Sequence, residues 1–160
     1  MLKSPTMLLV EDSPSDVRLI REALKSATGN VQMVVAHDGV EAINYLRRCQ
    51  SAMNGAPDLI LLDLNLPRKS GHEVLAELKS DPDLKTIPVL VMTSSDDESD
   101  IEQAYNLNAN CYIRKPGNFP EYERVVQAIE DFWLCTVTLP HSYSFYSDRA
   151  FFQAPSEALQ

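Results

Sequence analysis

The chain is poor in the features that would place it in several large functional classes. Three cysteines, Cys49, Cys111 and Cys135, are odd in number, widely spaced and without a Cys-x-x-Cys pair. They read as reduced structural thiols of a cytoplasmic protein, not a disulfide framework. The histidines His37, His72 and His141 have no metal-ligand spacing, which disfavours zinc. No apolar run approaches the length of a transmembrane helix, and the first residues enter a strand-like run before a signal segment is formed. Positive charge is also short. Fourteen Lys and Arg stand against 23 Asp and Glu, a formal net charge of −9. With no basic arm or stripe to offset that total, phosphate-neutralising contact with nucleic acid is disfavoured.

What the chain does have is enough apolar material for one core. At 160 residues, 44% hydrophobic and 23% charged, it fits a single globular domain. Short apolar runs are separated by helical patterns. Thr6–Val10 stops at Glu11-Asp12, and Ser13-Pro14 supplies an N-cap and a first-turn proline for a helix with Val17, Ile20 and Leu24 on one face. Gly29-Asn30 is expected to stop it. A second strand spans residues 31–36, and a helix capped by Asp38-Gly39 buries Ala42, Ile43 and Leu46 beside Val40. The run Leu59-Ile60-Leu61-Leu62 reads as a strand covered on both faces that ends at Asp63.

Beyond it come a helix with Val74, Leu75 and Leu78, broken by Asp81-Pro82-Asp83, and a strand from Val89 to Met92. A helix from about Asp97 to Leu107 turns Ile101 and Ala104 inward, and a brief strand, Cys111-Tyr112-Ile113, follows. The last helix has the clearest amphipathic pattern, with Tyr122, Val125, Val126, Ile129, Phe132 and Trp133 as its inner residues. Five strands alternating with five helices imply a flavodoxin-like, doubly wound parallel sheet of order 2-1-3-4-5. Residues 136–160 fall outside the repeat. They carry Tyr143, Phe145, Tyr146, Phe151 and Phe152 but few charges, so they are expected to pack on something. The domain proper is expected to span 6–135, with the remainder an extension and no separate output domain.

Ligands of open α/β sheets bind outside the carboxyl ends of the strands. That edge collects Glu11, Asp12, Asp63, Asn65, Thr93 and Lys115. Converging carboxylates repel one another unless a cation sits among them, and hard oxygen ligands suit Mg²⁺. A lone aspartate beside a metal is a competent nucleophile toward phosphoryl groups. The charge of a transferring phosphoryl then needs a metal, a lysine and a hydroxyl, which Asp12, Lys115 and Thr93 supply.

With these residues assembled, the chain resembles a receiver domain of two-component response regulators. The resemblance rests on Glu11-Asp12, Asp63 after an apolar strand, Leu66-Pro67 with Gly71, Thr93-Ser94 and Lys115-Pro116, and covers roughly residues 6–134. The segments 63–75 and 132–140 further resemble single-domain regulators that partner cyanobacterial phytochromes. The resemblance implies a phosphoryl group received by Asp63 from a histidine kinase, of phytochrome type for that subfamily. It implies Mg²⁺ on Asp12, Asp63 and the Asn65 backbone carbonyl, with Glu11 acting through water. It assigns Lys115 and Thr93 to the phosphoryl group, has Tyr112 turn inward behind Thr93, and expects a cis Lys115-Pro116 bond.

Two other classes compete. An aspartate-nucleophile phosphatase needs a second aspartate two residues after the first as acid and base, and Asn65 stands there. A non-phosphorylated scaffold shares the fold. A flavodoxin is disfavoured because Glu11-Asp12 would repel its phosphate. The phosphoacceptor reading makes the protein a switch, not a turnover enzyme, acting through protein contacts. The apolar extension and strong last helix favour a homodimer over an extension folded on its own domain.

Overall fold

The computed structural model describes residues 4–27, 30–51 and 55–140. Its elements alternate: β1 (Thr6–Val10), α1 (Pro14–Ser26), β2 (Gln32–Ala36), α2 (Gly39–Ser51), β3 (Leu59–Leu62), α3 (Gly71–Ser80), β4 (Val89–Thr93), α4 (Glu98–Asn106), β5 (Cys111–Arg114) and α5 (Phe119–Ile129). A π-helical turn, Glu130–Thr136, continues the last helix. The sheet is parallel throughout, in the order β2-β1-β3-β4-β5. This is the expected doubly wound fold.

The central strands are apolar because helices cover both of their faces. All four residues of β3 and all five of β4 are buried, whereas the edge strands β2 and β5 are only partly so. On one face α2, α3 and α4 bury Ile43, Leu46, Val74, Leu75, Leu78 and Ala104 against Leu8, Val10, Ile60, Leu62 and Val91. On the other, α1 and α5 pack Ile20, Leu24, Tyr122, Val126 and Ile129 on Leu9, Leu59, Leu61 and Met92. Each Leu, Ile, Val or Met side chain among these contributes about 1.5–3 kcal/mol relative to exposure.

Helix starts follow local chemistry. Ser13 accepts from the Asp16 amide and Pro14 opens α1. Asp38 accepts from the Glu41 amide at 2.8 Å. Ser70 and Glu73 form a reciprocal capping box at α3, and Asp97 and Asn118 cap α4 and α5.

Three expectations need correction. α1 ends at Ser26 with Ala27 as its cap, ahead of the Gly29-Asn30 signal, and Gly29 lies outside the described residues. Ile101 is only partly buried, leaving Ala104 as the buried residue of α4. Phe132 points outward at 53% exposure, because the π turn after Ile129 widens the helix and breaks the 3.6-residue period that set the inner face. Trp133, edge-on to Phe132 at 5.4 Å, keeps contact with the α1–α5 core. The aromatic residues of the extension from Tyr143 onward lie outside the described residues. Among the described residues no helix is long and apolar enough to cross a membrane.

Candidate functional site at the carboxyl edge of the sheet

Three site residues share one backbone rule. Glu11, Asp63 and Lys115 are each the first residue past a strand, yet each amide still donates to the last residue of the neighbouring strand. Glu11 N–H reaches Ala36 O at 3.0 Å, Asp63 N–H reaches Val10 O at 3.0 Å, and Lys115 N–H reaches Thr93 O at 2.8 Å. β3 therefore stops at Leu62, one residue earlier than expected, but Asp63 is held as firmly as a strand residue. Gly71 holds it from the other side. A Cβ on Gly71 would lie 2.2 Å from the Asp63 carbonyl oxygen, so α3 starts in contact with the Asp63 backbone only because no side chain intervenes.

The side chains converge. Glu11 and Asp63 are buried and Asp12 is exposed, and one carboxylate oxygen from each lies within 4.8 Å of the others. These are hard oxygen donors at a spacing that fits a small divalent cation, with Asp12 open to water. Ser13 N–H donates to Glu11 Oε1 at 3.1 Å. Asn65 is exposed, and its amide donates to Asp63 Oδ1 at 3.2 Å.

Lys115 closes the cluster. Its Nζ lies 2.9 Å from Asp63 Oδ2, 3.0 Å from Glu11 Oε2 and 2.8 Å from Asp16 Oδ2. Burial works to lower the lysine's pKa, but hydrogen bonds to Asp16, Asp63 and Glu11 outweigh it and hold the group above the usual lysine range. Glu11 behaves oppositely. Burial first, and the charge of Asp63 second, push its carboxyl up to about 7 against the pull of Lys115. Three carboxylates on one ammonium, with Asp12 grouped beside Glu11 and Asp63, leave the pocket acidic, which is the electrostatic condition for cation binding.

Thr93 is fully buried at the end of β4, and its Oγ1 accepts from Ser95 N–H at 3.5 Å. Tyr112 is partly buried on β5 and donates from its hydroxyl to Ser95 O at 2.9 Å. Ser95 Oγ in turn donates to Asp100 Oδ2 at 2.6 Å, so the turn after Thr93 is tied to both β5 and α4. The Lys115-Pro116 bond is trans, as are all described peptide bonds. The cis expectation is thus corrected. Trans is the isomer an X–Pro amide prefers by about 0.5–1 kcal/mol, and Lys115 reaches Asp63 with it.

Sequence reasoning missed Asp16. In the first turn of α1 it resembles an ordinary acid favouring the helix N-terminus. Nothing in its position, three residues after the N-cap Ser13, marks it as a site residue.

Comparison with known proteins agrees with this geometry. The family described as response regulator receiver domain matches residues 7–129. Response regulator Rcp1 of Synechocystis sp. is 50% identical over 135 residues, 84% of this chain and 92% of Rcp1. The crystal structure of the phosphorylated cyanobacterial phytochrome response regulator RcpA superposes with a TM-score of 0.79 at 52% identity, covering 85% of this chain and 98% of RcpA. The Mn²⁺-bound form of Rcp1 gives 0.77 at 49% identity, covering 85% and 99%. Glu11, Asp12 and Asp63 form the acidic divalent-cation site typical of receivers. The fold, the acidic site and these likenesses lead to one assignment: the chain belongs to the response regulator receiver family of two-component systems and is not a classical enzyme.

Proposed function

We propose that Asp63 is the phosphoacceptor of a light-signalling phosphorelay in the cytoplasm, served by a phytochrome-type histidine kinase. The observation that carries this reading is the buried Asp63 carboxylate, 2.9 Å from Lys115 and grouped with Glu11 and Asp12. In the transfer, the P–N bond of the kinase's phosphohistidine breaks as a P–O bond forms to an Asp63 oxygen. The imidazole keeps the bonding pair, and the product is an acyl phosphate. Asp12, Asp63 and the Asn65 backbone carbonyl would hold Mg²⁺, with Glu11 acting through water. When bound, the ion neutralises charge on the phosphoryl oxygens.

Lys115 donates to a second phosphoryl oxygen and the Thr93 hydroxyl to a third. Thr93 and Tyr112 both bond the turn at Ser95, so movement of Thr93 toward the phosphoryl loosens the anchor of Tyr112 and lets its ring turn inward. The likeness to Rcp1 and RcpA supports the kinase class. Exposed Phe132 and the aromatic composition of residues 136–160 support a homodimer as the signalling form.

Acetyl phosphate with Mg²⁺ should label the wild type and leave Asp63→Asn unlabelled; equal labelling would remove Asp63 from this role. For the dimer, sedimentation of the whole chain is compared with a chain ending at Cys135. Identical monomeric behaviour of both would exclude it.

A further inference from the structure

Lys115 has three N–H donors, and three carboxylates take them: Asp63 and Glu11 from the site proper, and Asp16 from α1. Lys115 therefore gains no phosphoryl partner without giving one of these up. Asp16 has the only carboxylate of the three that is bonded away from the sheet edge. Its Oδ2 holds Lys115 at 2.8 Å, while its Oδ1 accepts from the Tyr122 hydroxyl on α5 at 3.4 Å. The second bond is long for O–H···O, where about 2.7–2.8 Å is usual. Tyr122 is only 3% exposed and packs with Val17, Ile20 and Val126 in the core between α1 and α5. Burial and the charge of Asp16 push the phenol up to about 12, so it remains a donor. A carboxylate pulled by an ammonium on one oxygen and loosely held by a phenol on the other is set to shift when the ammonium leaves.

We propose that Asp16 is a positioning residue for Lys115, and that the handover of Lys115 from Asp16 to the phosphoryl group on Asp63 is read at the α1–α5 seam through Tyr122. Before phosphorylation, Asp16 shares Lys115 and stretches away from Tyr122. Afterwards Lys115 turns to the phosphoryl oxygens, Asp16 loses its cation, and its carboxylate closes on the Tyr122 hydroxyl. α5 is thereby drawn toward α1. This route is separate from the one through Thr93 and Tyr112, which ends at β5 and α4. The inference rests on Asp63 being the phosphoacceptor.

The test is the ring-carbon resonance that bears the hydroxyl, in protein labelled with ¹³Cζ-tyrosine. Tyr122→Phe assigns it among the six tyrosines by its disappearance. Closer donation to a carboxylate makes the phenol more phenolate-like and moves this carbon downfield. Full-length protein is treated with acetyl phosphate and Mg²⁺, and the phosphate is located by mass spectrometry. With Asp63 labelled, the Tyr122 resonance should move downfield. In unphosphorylated Asp16→Ala it should move upfield, the acceptor being gone. Asp16→Asn, isosteric and an acceptor weaker than a carboxylate, should fall between Asp16→Ala and wild type. Phosphate on Asp63 with an unmoved or upfield Tyr122 resonance overturns the inference alone. A Tyr122 resonance indifferent to both Asp16 variants does the same. Failure to label Asp63 overturns the phosphoacceptor reading and this inference with it, and the mass spectrum tells the two apart.

Discussion

Binding of Mg²⁺ at this site should expel a proton, and Glu11 sets the pH at which it does. Burial and Asp63 move the Glu11 carboxyl from its ordinary 4.5 up to about 7 in the metal-free protein. A cation held there, directly or through water, favours the ionised form, so protons and Mg²⁺ compete. Below pH 7 the observed affinity should rise about tenfold per pH unit, worth about 1.4 kcal/mol each, and level off above it. At pH 6 roughly nine-tenths of Glu11 is protonated and about 0.9 proton should leave per Mg²⁺; at pH 8 about 0.1 should. Isothermal titration calorimetry in two buffers of different ionisation enthalpy measures both quantities. Glu11→Gln should abolish this release and flatten the profile. A wild-type affinity that is constant from about pH 5.5 to 8 would refute the reasoning, as would equal proton release by Glu11→Gln.

The same shift fixes the sign of a stability effect. Because the folded carboxyl binds its proton more tightly than the unfolded one, its contribution is fully present below pH 4.5 and is lost as pH rises to about 7. The loss is on the order of 3 kcal/mol. Urea unfolding of metal-free protein should show the decline, and Mg²⁺ at pH 8 should recover stability by mass action.

Lys115→Met should destabilise the metal-free fold by about 3 kcal/mol at pH 8, because Glu11, Asp63 and Asp16 then face one another without a cation; urea midpoints with and without Mg²⁺ read both the loss and its partial recovery. Gly71→Ala should cost about 1–3 kcal/mol and lower Mg²⁺ affinity, because its Cβ would lie 2.2 Å from the Asp63 carbonyl oxygen and the turn must move. Leu61→Ala, at 1% exposure between α1, α5 and the sheet, should lower the unfolding free energy by about 2–5 kcal/mol; a loss below about 1 kcal/mol would mean that the core collapses around the gap.

The strands were legible because their composition depends on position in the sheet. Leu59–Leu62 reads as central because four apolar residues in a row have no polar face to offer, and all four are buried. Caps were legible for a similar reason: Ser13 and Asp38 satisfy amides within a turn of themselves. The end of the last helix was not. The period continues through Phe132 and Trp133, and the widening into a π turn depends on tertiary packing. Asp16 was hidden for a further reason. Its partner Lys115 is 99 residues away, and nothing in a helix's first turn marks an acid as bound to a distant lysine.

The strand order explains why the site needs a lysine after β5 and not a shorter donor. β1 and β3 are neighbours, so Glu11 and Asp63 emerge side by side. β5 is two strands from β3, with β4 between them; at ~4.8 Å per strand that is roughly 10 Å of sheet to cross. Only a long side chain can span it and meet a carboxylate reaching back. The backbone bond from Lys115 N–H to Thr93 O starts that span at the very end of β4, so the side chain passes over the strand that carries Thr93. The ammonium thus arrives at the Asp63 carboxylate, where a phosphoryl group would need donors. Arg would reach as far, but its planar fork suits paired oxygens, whereas three carboxylates from three elements call for a compact charge with three divergent donors. Asp16 completes that set from above the sheet, which makes the lysine's third partner a property of helix α1 and ties the state of the site to the α1–α5 seam.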